Sequence, residues 1–218
     1  MQMNWKATDK TMRKQDEALI IIDIQNDFCP GGALAIPEGD AIVPGVNALT
    51  SEFQTVVLTQ DWHPNGHSSF ASSHENADVM SVIDMSYGPQ VLWPDHCIQG
   101  SEGAEFHSGL DINAAHANIR KGFRSHIDSY SAFFENDRKT PTGLEGYLRT
   151  RGITKLTVVG LALDFCVNYS AVDGAILGFD VEILEQLCRG INLNSSMAQA
   201  MEEFQKAGVK VVWSAFKI

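Results

Sequence analysis

One cysteine in this chain stands where a thiol could attack a carbonyl. Cys166 lies in VVGLALDFCV, after a β-type run and a short turn, and is expected in the first turn of the next helix. A helix N-terminus stabilises a thiolate, and its exposed amides can hold a developing oxyanion. The plain alternative is a buried apolar thiol, the ordinary fate of a free cysteine. Asp23 falls near the end of LIIIDIQNDF. A carboxylate beside a run of isoleucines is costly to bury unless something pairs with it, and otherwise it caps a turn. Lys121, in NIRKGF, is expected at the end of a short strand; read alone, it is a solvated lysine. Together, an acid, a cation and a thiol make a set suited to acyl transfer.

A second group suggests a metal. Asp61 and His63 form an Asp-x-His pair directly after the strand-like TVVLTQ, and His96 lies in WPDHC. One carboxylate and two imidazoles leave coordination positions open, as a catalytic zinc or iron site needs. A turn-forming pair is the simpler reading of Asp-x-His by itself. His67 is a further ligand or a supporting partner. His74, His107, His116 and His126 are expected on loops or the surface; Cys29 and Cys97 could ligate too, but their neighbours suggest packing, and Cys188 sits far along the chain.

The elements that must position these groups read as β-rich runs alternating with helices. The runs are Ala18–Ile24, Thr55–Gln60, Lys155–Gly160, Asp180–Leu184 and Val209–Ser214. Helices are expected after a Thr142/Glu145 capping box and ending near Gly152, over Phe165–Leu177, and over Ser195–Ala207 before Gly208. This alternation predicts an α/β fold of three layers, α/β/α, around a mostly parallel central sheet. Ligands gather beyond the carboxyl ends of such strands, where Asp23, Lys121 and Cys166 would share one rim. Residues 61 to about 116 break the alternation and are rich in Gly, Ser, Pro, His and Asp, which marks a functional segment.

At 218 residues and 44% hydrophobic, the chain fits one domain, read here as a polar N-terminal extension over 1–17 and a single domain over 18–218. A net charge of -11 argues against nucleic acid or an anionic membrane as partner. The apolar run from Ala18 is too short to span a bilayer. No secretory signal is read at the start, and four scattered cysteines fit reduced thiols, so the cytoplasm is the expected compartment.

Five stretches, IIDIQNDFCPGGAL, QDWHPNGHSSFASSH, WPDHCIQGSEGAEFH, RKGF with DSYSAF, and GLALDFCV, occur in the order found in one family. The chain resembles the nicotinamidase branch of the isochorismatase-like cysteine hydrolases from about Ala18 to Ile191. The resemblance implies hydrolysis of nicotinamide to nicotinic acid and ammonia through a cysteine thioester, cleavage of pyrazinamide as well, and a place in NAD salvage. It makes Cys166 the nucleophile, Asp23 the general base and acid, and Lys121 the third member of the triad. Ala162 and Cys166 would supply the oxyanion-hole amides, with a cis peptide at Leu161–Ala162. Phe28, Trp93 and Tyr130 would line the ring pocket. Asp61, His63 and His96 would bind one divalent metal, zinc first and iron or manganese as alternatives. The ring nitrogen, a Lewis base, would meet this metal directly or through its water. The partner is a small molecule, and a homo-oligomer is left open. Leu163 stands where many relatives have Thr, and Phe165 where Tyr or His is common. The competing readings are an amidase for N-carbamoyl amines, whose members lack the metal set, an isochorismatase-type hydrolase, whose branch lacks the cysteine, and a non-catalytic pyridine-binding protein.

Overall fold

A computed structural model describes residues 13–213. Six strands form one parallel sheet: β1 (Glu17–Ile22), β2 (Val56–Asp61), β5 (Ala117–Lys121), β6 (Lys155–Leu161), β7 (Asp180–Arg189) and β8 (Lys210–Val212), in the order β5-β2-β1-β6-β7-β8. A separate antiparallel hairpin, β3 (Val82–Met85) with β4 (Gly88–Val91), lies within the expected irregular segment. The helices are α1 (Val43–Thr50), α2 (Leu144–Thr150), α3 (Asn168–Ile176) and α4 (Ser196–Ala207). None of the described helices is long and apolar enough to cross a membrane.

The two faces of the sheet follow from strand alternation. Leu19 and Ile21 of β1 join Leu58 and Val159 in a core closed by Val43, Val46 and Leu49 of α1. Ala18, Ile20 and Ile22 join Val57, Val158 and Ile183 in the opposite core, closed by Leu144, Leu148, Ala171, Ala200 and Phe204 of α2, α3 and α4. A strand covered on both sides has no polar face to show, which is why β1 reads as a continuous apolar run.

Several boundaries differ from expectation. Residues 1–12 of the expected polar extension, and Ser214, lie outside the described residues. Arg13 is tied to the sheet by Glu182 at 2.8 Å, Glu17 at 3.6 Å and Glu52 at 3.9 Å, and Glu17 is already part of β1. The capping box does not form, because Gly143 takes the N-cap position at φ 102°. Thr142 instead accepts from Leu144 N at 3.2 Å and donates to Ala132 O at 2.5 Å. The helix expected from Phe165 is two elements, a π turn over Leu163–Val167 and then α3. In β7 the ladder to β6 shifts register between Val158 and Gly160, and the strand runs on to Arg189.

β1, β2 and β5 run outward on one side of the sheet, and β6, β7 and β8 on the other. The order therefore reverses between β1 and β6, and a crevice opens beyond their carboxyl ends. Gly160 lets the two strands close there: at φ 122°, a Cβ would stand 2.1 Å from Ile22 O.

Candidate active site

Every sequence-predicted catalytic group lies at this crevice. Asp23 follows β1 at φ 45°, a left-handed conformation that short polar side chains tolerate, and its side chain is fully buried. Lys121 ends β5 and Asp61 ends β2, in register as partners. The Leu161–Ala162 peptide at the end of β6 is cis, and Cys166 follows in the π turn.

The ammonium of Lys121 is the hub. Its Nζ lies 2.8 Å from Asp23 Oδ2, 2.5 Å from Asp61 Oδ1, 2.9 Å from Ser129 O and 3.4 Å from Cys166 Sγ. Burial works against its charge, yet Asp23 and Asp61 hold the ammonium well above the ordinary lysine range. Burial raises the Asp23 carboxyl, with Lys121 opposing. Burial also pushes the Cys166 thiol well up, again with Lys121 opposing. The resting thiol is therefore protonated and needs a base. Asp23 Oδ1 accepts from Thr59 Oγ1 at 2.6 Å, Oδ2 faces the Lys121 ammonium at 2.8 Å, and the carboxylate lies within 4.8 Å of Sγ.

Asp61 faces both groups. Its Oδ2 lies 3.6 Å from His63 Nε2 and 3.8 Å from His96 Nε2. His63 Nδ1 donates to Gly122 O at 2.9 Å and His96 Nδ1 to Pro94 O at 2.8 Å. A carbonyl can only accept, so each ring carries a proton on Nδ1 and turns Nε2 toward Asp61. His63 Nε2 is buried and makes no hydrogen bond. Burial opposes a charge on His63, but Asp61 outweighs it and draws positive charge to this spot. Burial likewise opposes ionisation of Asp61, yet Lys121 and His63 hold it well below the usual carboxylate range. Three convergent donors, one of them orphaned, fit a divalent cation with open positions. Gly122 permits the arrangement, because a Cβ there would meet the His63 ring at 2.4 Å.

His67 is engaged at both nitrogens. Its Nε2 donates to the carbonyls of Arg124 at 2.8 Å and Ile127 at 3.1 Å, so Nδ1 is left to accept from Ser69. It supports His63, whose ring centroid is 4.5 Å away, and offers no lone pair to a metal. Cys29 and Cys97 pack in one core, where burial raises the Cys29 thiol to about 11, and Cys188 packs in the other, raised to about 12.

Phe28, Trp93 and Tyr130 line one cavity with Asp61, His96, Ala162, Phe165 and Cys166. Trp93 Nε1 donates to Tyr130 Oη at 3.0 Å. Phe165 stands edge-on to Trp93, with centroids 4.9 Å apart. Leu163 is buried in the core of the α2, α3 and α4 side, where an apolar residue suits its neighbours.

Three residues went unremarked in the sequence. Gln25 clamps the Asp61 backbone, donating to its carbonyl and accepting from its N–H, both at 2.8 Å. Thr59 holds Asp23 and sits two residues before Asp61, on the same side of β2, a spacing that strand periodicity could have flagged. Asp128, in the DSYSAF stretch, is buried, lines the cavity and places Oδ1 3.9 Å from His63 Nε2.

The isochorismatase domain matches residues 17–216. With that match over nearly its whole length, the chain belongs to the isochorismatase-domain family. Within it, the chain is similar to the nicotinamidase of Acinetobacter baylyi, at 48% identity over 197 residues, 90% of this chain and 92% of the relative. Its structure is similar to that of the Acinetobacter baumanii nicotinamidase pyrazinamidase, with TM-score 0.91 and 50% identity, covering 92% of this chain and 97% of that one. It is also similar to the pyrazinamidase of Pyrococcus horikoshii in complex with zinc, with TM-score 0.73 and 34% identity, covering 90% of this chain and 98% of that one.

Proposed function

We propose that this chain is a nicotinamidase that hydrolyses nicotinamide, and pyrazinamide as well, to the ring carboxylic acid and ammonia. The observation that carries the reading is one aromatic-walled cavity bordered at once by Cys166 and by Asp61 and His96. A thiol with a base beneath it serves acyl transfer, and a nearby nitrogen-and-oxygen donor set serves a ligand with a lone pair.

Asp61, His63 and His96 would hold one divalent ion, zinc first, and that ion would supply a Lewis acid for the ring nitrogen. The aromatic side chains Phe28, Trp93 and Tyr130 hold the ring and exclude water, which fixes the carboxamide carbon near Sγ. Asp23 Oδ2 takes the thiol proton as Sγ adds to that carbon. Lys121 stays protonated and steadies the thiolate through the 3.4 Å contact. The backbone amides of Ala162 and Cys166 receive the oxyanion. Asp23 returns its proton to the departing nitrogen, the C–N bond breaks, and ammonia leaves a thioester. Asp23 then takes a proton from water as its oxygen adds to the thioester carbon. The C–S bond breaks, the acid is released and the proton returns to Sγ.

As a small-molecule enzyme, the chain would act in the cytoplasm, in NAD salvage. Ammonia release from nicotinamide by the purified protein, measured before and after chelation and metal replacement, tests the reading. Absence of release from the metal-replete protein would overturn it.

A further inference from the structure

A second cavity lies behind the catalytic one, between the β3–β4 hairpin, the start of α3 and α4. The two cavities have two residues in common, Tyr130 and Phe165. Their rings meet edge to face, with centroids 5.7 Å apart, and form the wall between the chambers. The two halves of that wall are held differently. Tyr130 is tethered, its hydroxyl accepting from Gln90 Nε2 at 2.8 Å and from Trp93 Nε1 at 3.0 Å. Phe165 has no polar atom beyond its backbone and is held by ring contacts alone. It is also the residue directly before Cys166.

The far chamber has a defined chemistry. Val82 and Val91 of the hairpin give it an apolar side, and Asp164 and Glu203 are its charged residues. Among the described residues, no Lys, Arg or His borders it. Asp164 is occupied, accepting from Ile191 N at 2.9 Å, Asn192 N at 2.7 Å and the Ser196 hydroxyl. Glu203 accepts from Asn168 Nδ2 at 2.6 Å and is exposed, so its carboxylate sets the sign of the chamber.

We propose that Phe165 is a partition that limits substrate size, and that the chamber behind it is a walled-off extension of the active site suited to neutral or cationic substituents. The inference rests on the nicotinamidase reading. Opening the partition should admit ring amides that carry a short chain, with an ammonium-ended chain preferred over a carboxylate-ended one because only carboxylates face it.

The test compares the wild type, Phe165→Ala and Phe165→Leu on nicotinamide and on nicotinamides bearing a propyl, aminopropyl or carboxyethyl chain. Each chain is placed in turn at ring carbon 5, ring carbon 6 and the amide nitrogen. For at least one attachment point, kcat/KM relative to nicotinamide should rise about tenfold or more in Phe165→Ala, with a smaller rise in Phe165→Leu. The aminopropyl compound should exceed the carboxyethyl compound by roughly fivefold or more, and Glu203→Gln in the Phe165→Ala background should remove most of that preference. Binding of the nicotinic acids that carry the same chains at ring carbon 5 or 6, followed by quenching of tryptophan fluorescence, gives a readout that needs no turnover. Failure of the wild type to hydrolyse nicotinamide, with tighter acid binding in Phe165→Ala, would sink the functional reading and leave the partition standing. Variants that fold and hydrolyse nicotinamide yet gain neither turnover nor binding would overturn the inference. So would an ammonium preference unchanged by Glu203→Gln.

Discussion

Replacing Thr59 by Val removes one hydroxyl beneath the carboxylate proposed as the base and little else. Thr59 is fully buried in β2; its Oγ1 donates to Asp23 Oδ1 at 2.6 Å and accepts from Asp23 N at 3.2 Å. A hydrogen bond to a charged group is worth about 1.5–3 kcal/mol, and Val fills nearly the same volume, so no sizeable cavity opens. The loss falls on the ionised form of Asp23. Burial already raises that carboxyl, and losing the hydroxyl raises it further. Because the thiol proton goes to the ionised carboxylate, the acid limb of the kcat/KM profile must move to higher pH. Between the wild-type and the shifted limb, where only the wild-type carboxylate is ionised, efficiency should fall by up to about one to two orders of magnitude. The fall should appear mainly in kcat, because Thr59 does not border the cavity. Thr59→Ser keeps the hydroxyl and should recover most of the rate and the original limb. The assay is ammonia release from nicotinamide across roughly pH 5 to 9. A Thr59→Val enzyme within about twofold of wild type, with an unmoved acid limb, would refute the role given to Asp23.

Cys166→Ala should abolish hydrolysis while leaving metal content and melting temperature near wild type; turnover close to wild type in the purified variant would remove the thiol from the mechanism. A His63→Ala, His96→Ala double variant should lose the bound ion, and full occupancy by elemental analysis would contradict the assigned ligands. Benzamide keeps the ring size and scissile bond of nicotinamide but lacks the lone pair, so its kcat/KM should be at least about a hundredfold lower. Efficient benzamide hydrolysis would show that the donor set does not orient the substrate.

The inner strands β1, β2 and β6 were readable because they are buried on both faces, which leaves runs of Ile, Val and Leu in the sequence. The rim followed from them: once β1, β2, β5 and β6 are parallel, Asp23, Asp61, Lys121 and the Cys166 turn must share one end. What could not be read was set by long-range partners or backbone geometry. Arg13 looks like part of a loose polar segment, and only the fold brings Glu182, 169 residues away, to its guanidinium. Thr142 and Glu145 have capping-box spacing, but Ala132 O captures the threonine hydroxyl. Thr59 and Gln25 are ordinary polar letters until the register of β1 with β2 sets them against Asp23 and Asp61. The site's types and spacing were legible, whereas the bonds that aim those side chains were not.

The π turn at the nucleophile has a bearing on how this segment tolerates insertion and loss. Val167 N–H reaches back five residues to Ala162 O at 3.1 Å, one residue more than an α-helical turn would hold. Removing Asp164 would let the backbone relax to the ordinary four-residue spacing, and it would also take away the carboxylate that accepts from Ile191 N, Asn192 N and the Ser196 hydroxyl. Successive α-helical residues are rotated by about 100°, so that relaxation would swing the thiol around the helix axis and away from Lys121 while α3 kept its packing on the sheet. A single-codon deletion here would thus displace the thiol and release the connection between β7 and α4 together. Within this stretch the reading frame of the helix, as well as the identity of its side chains, decides whether the thiol meets its partners.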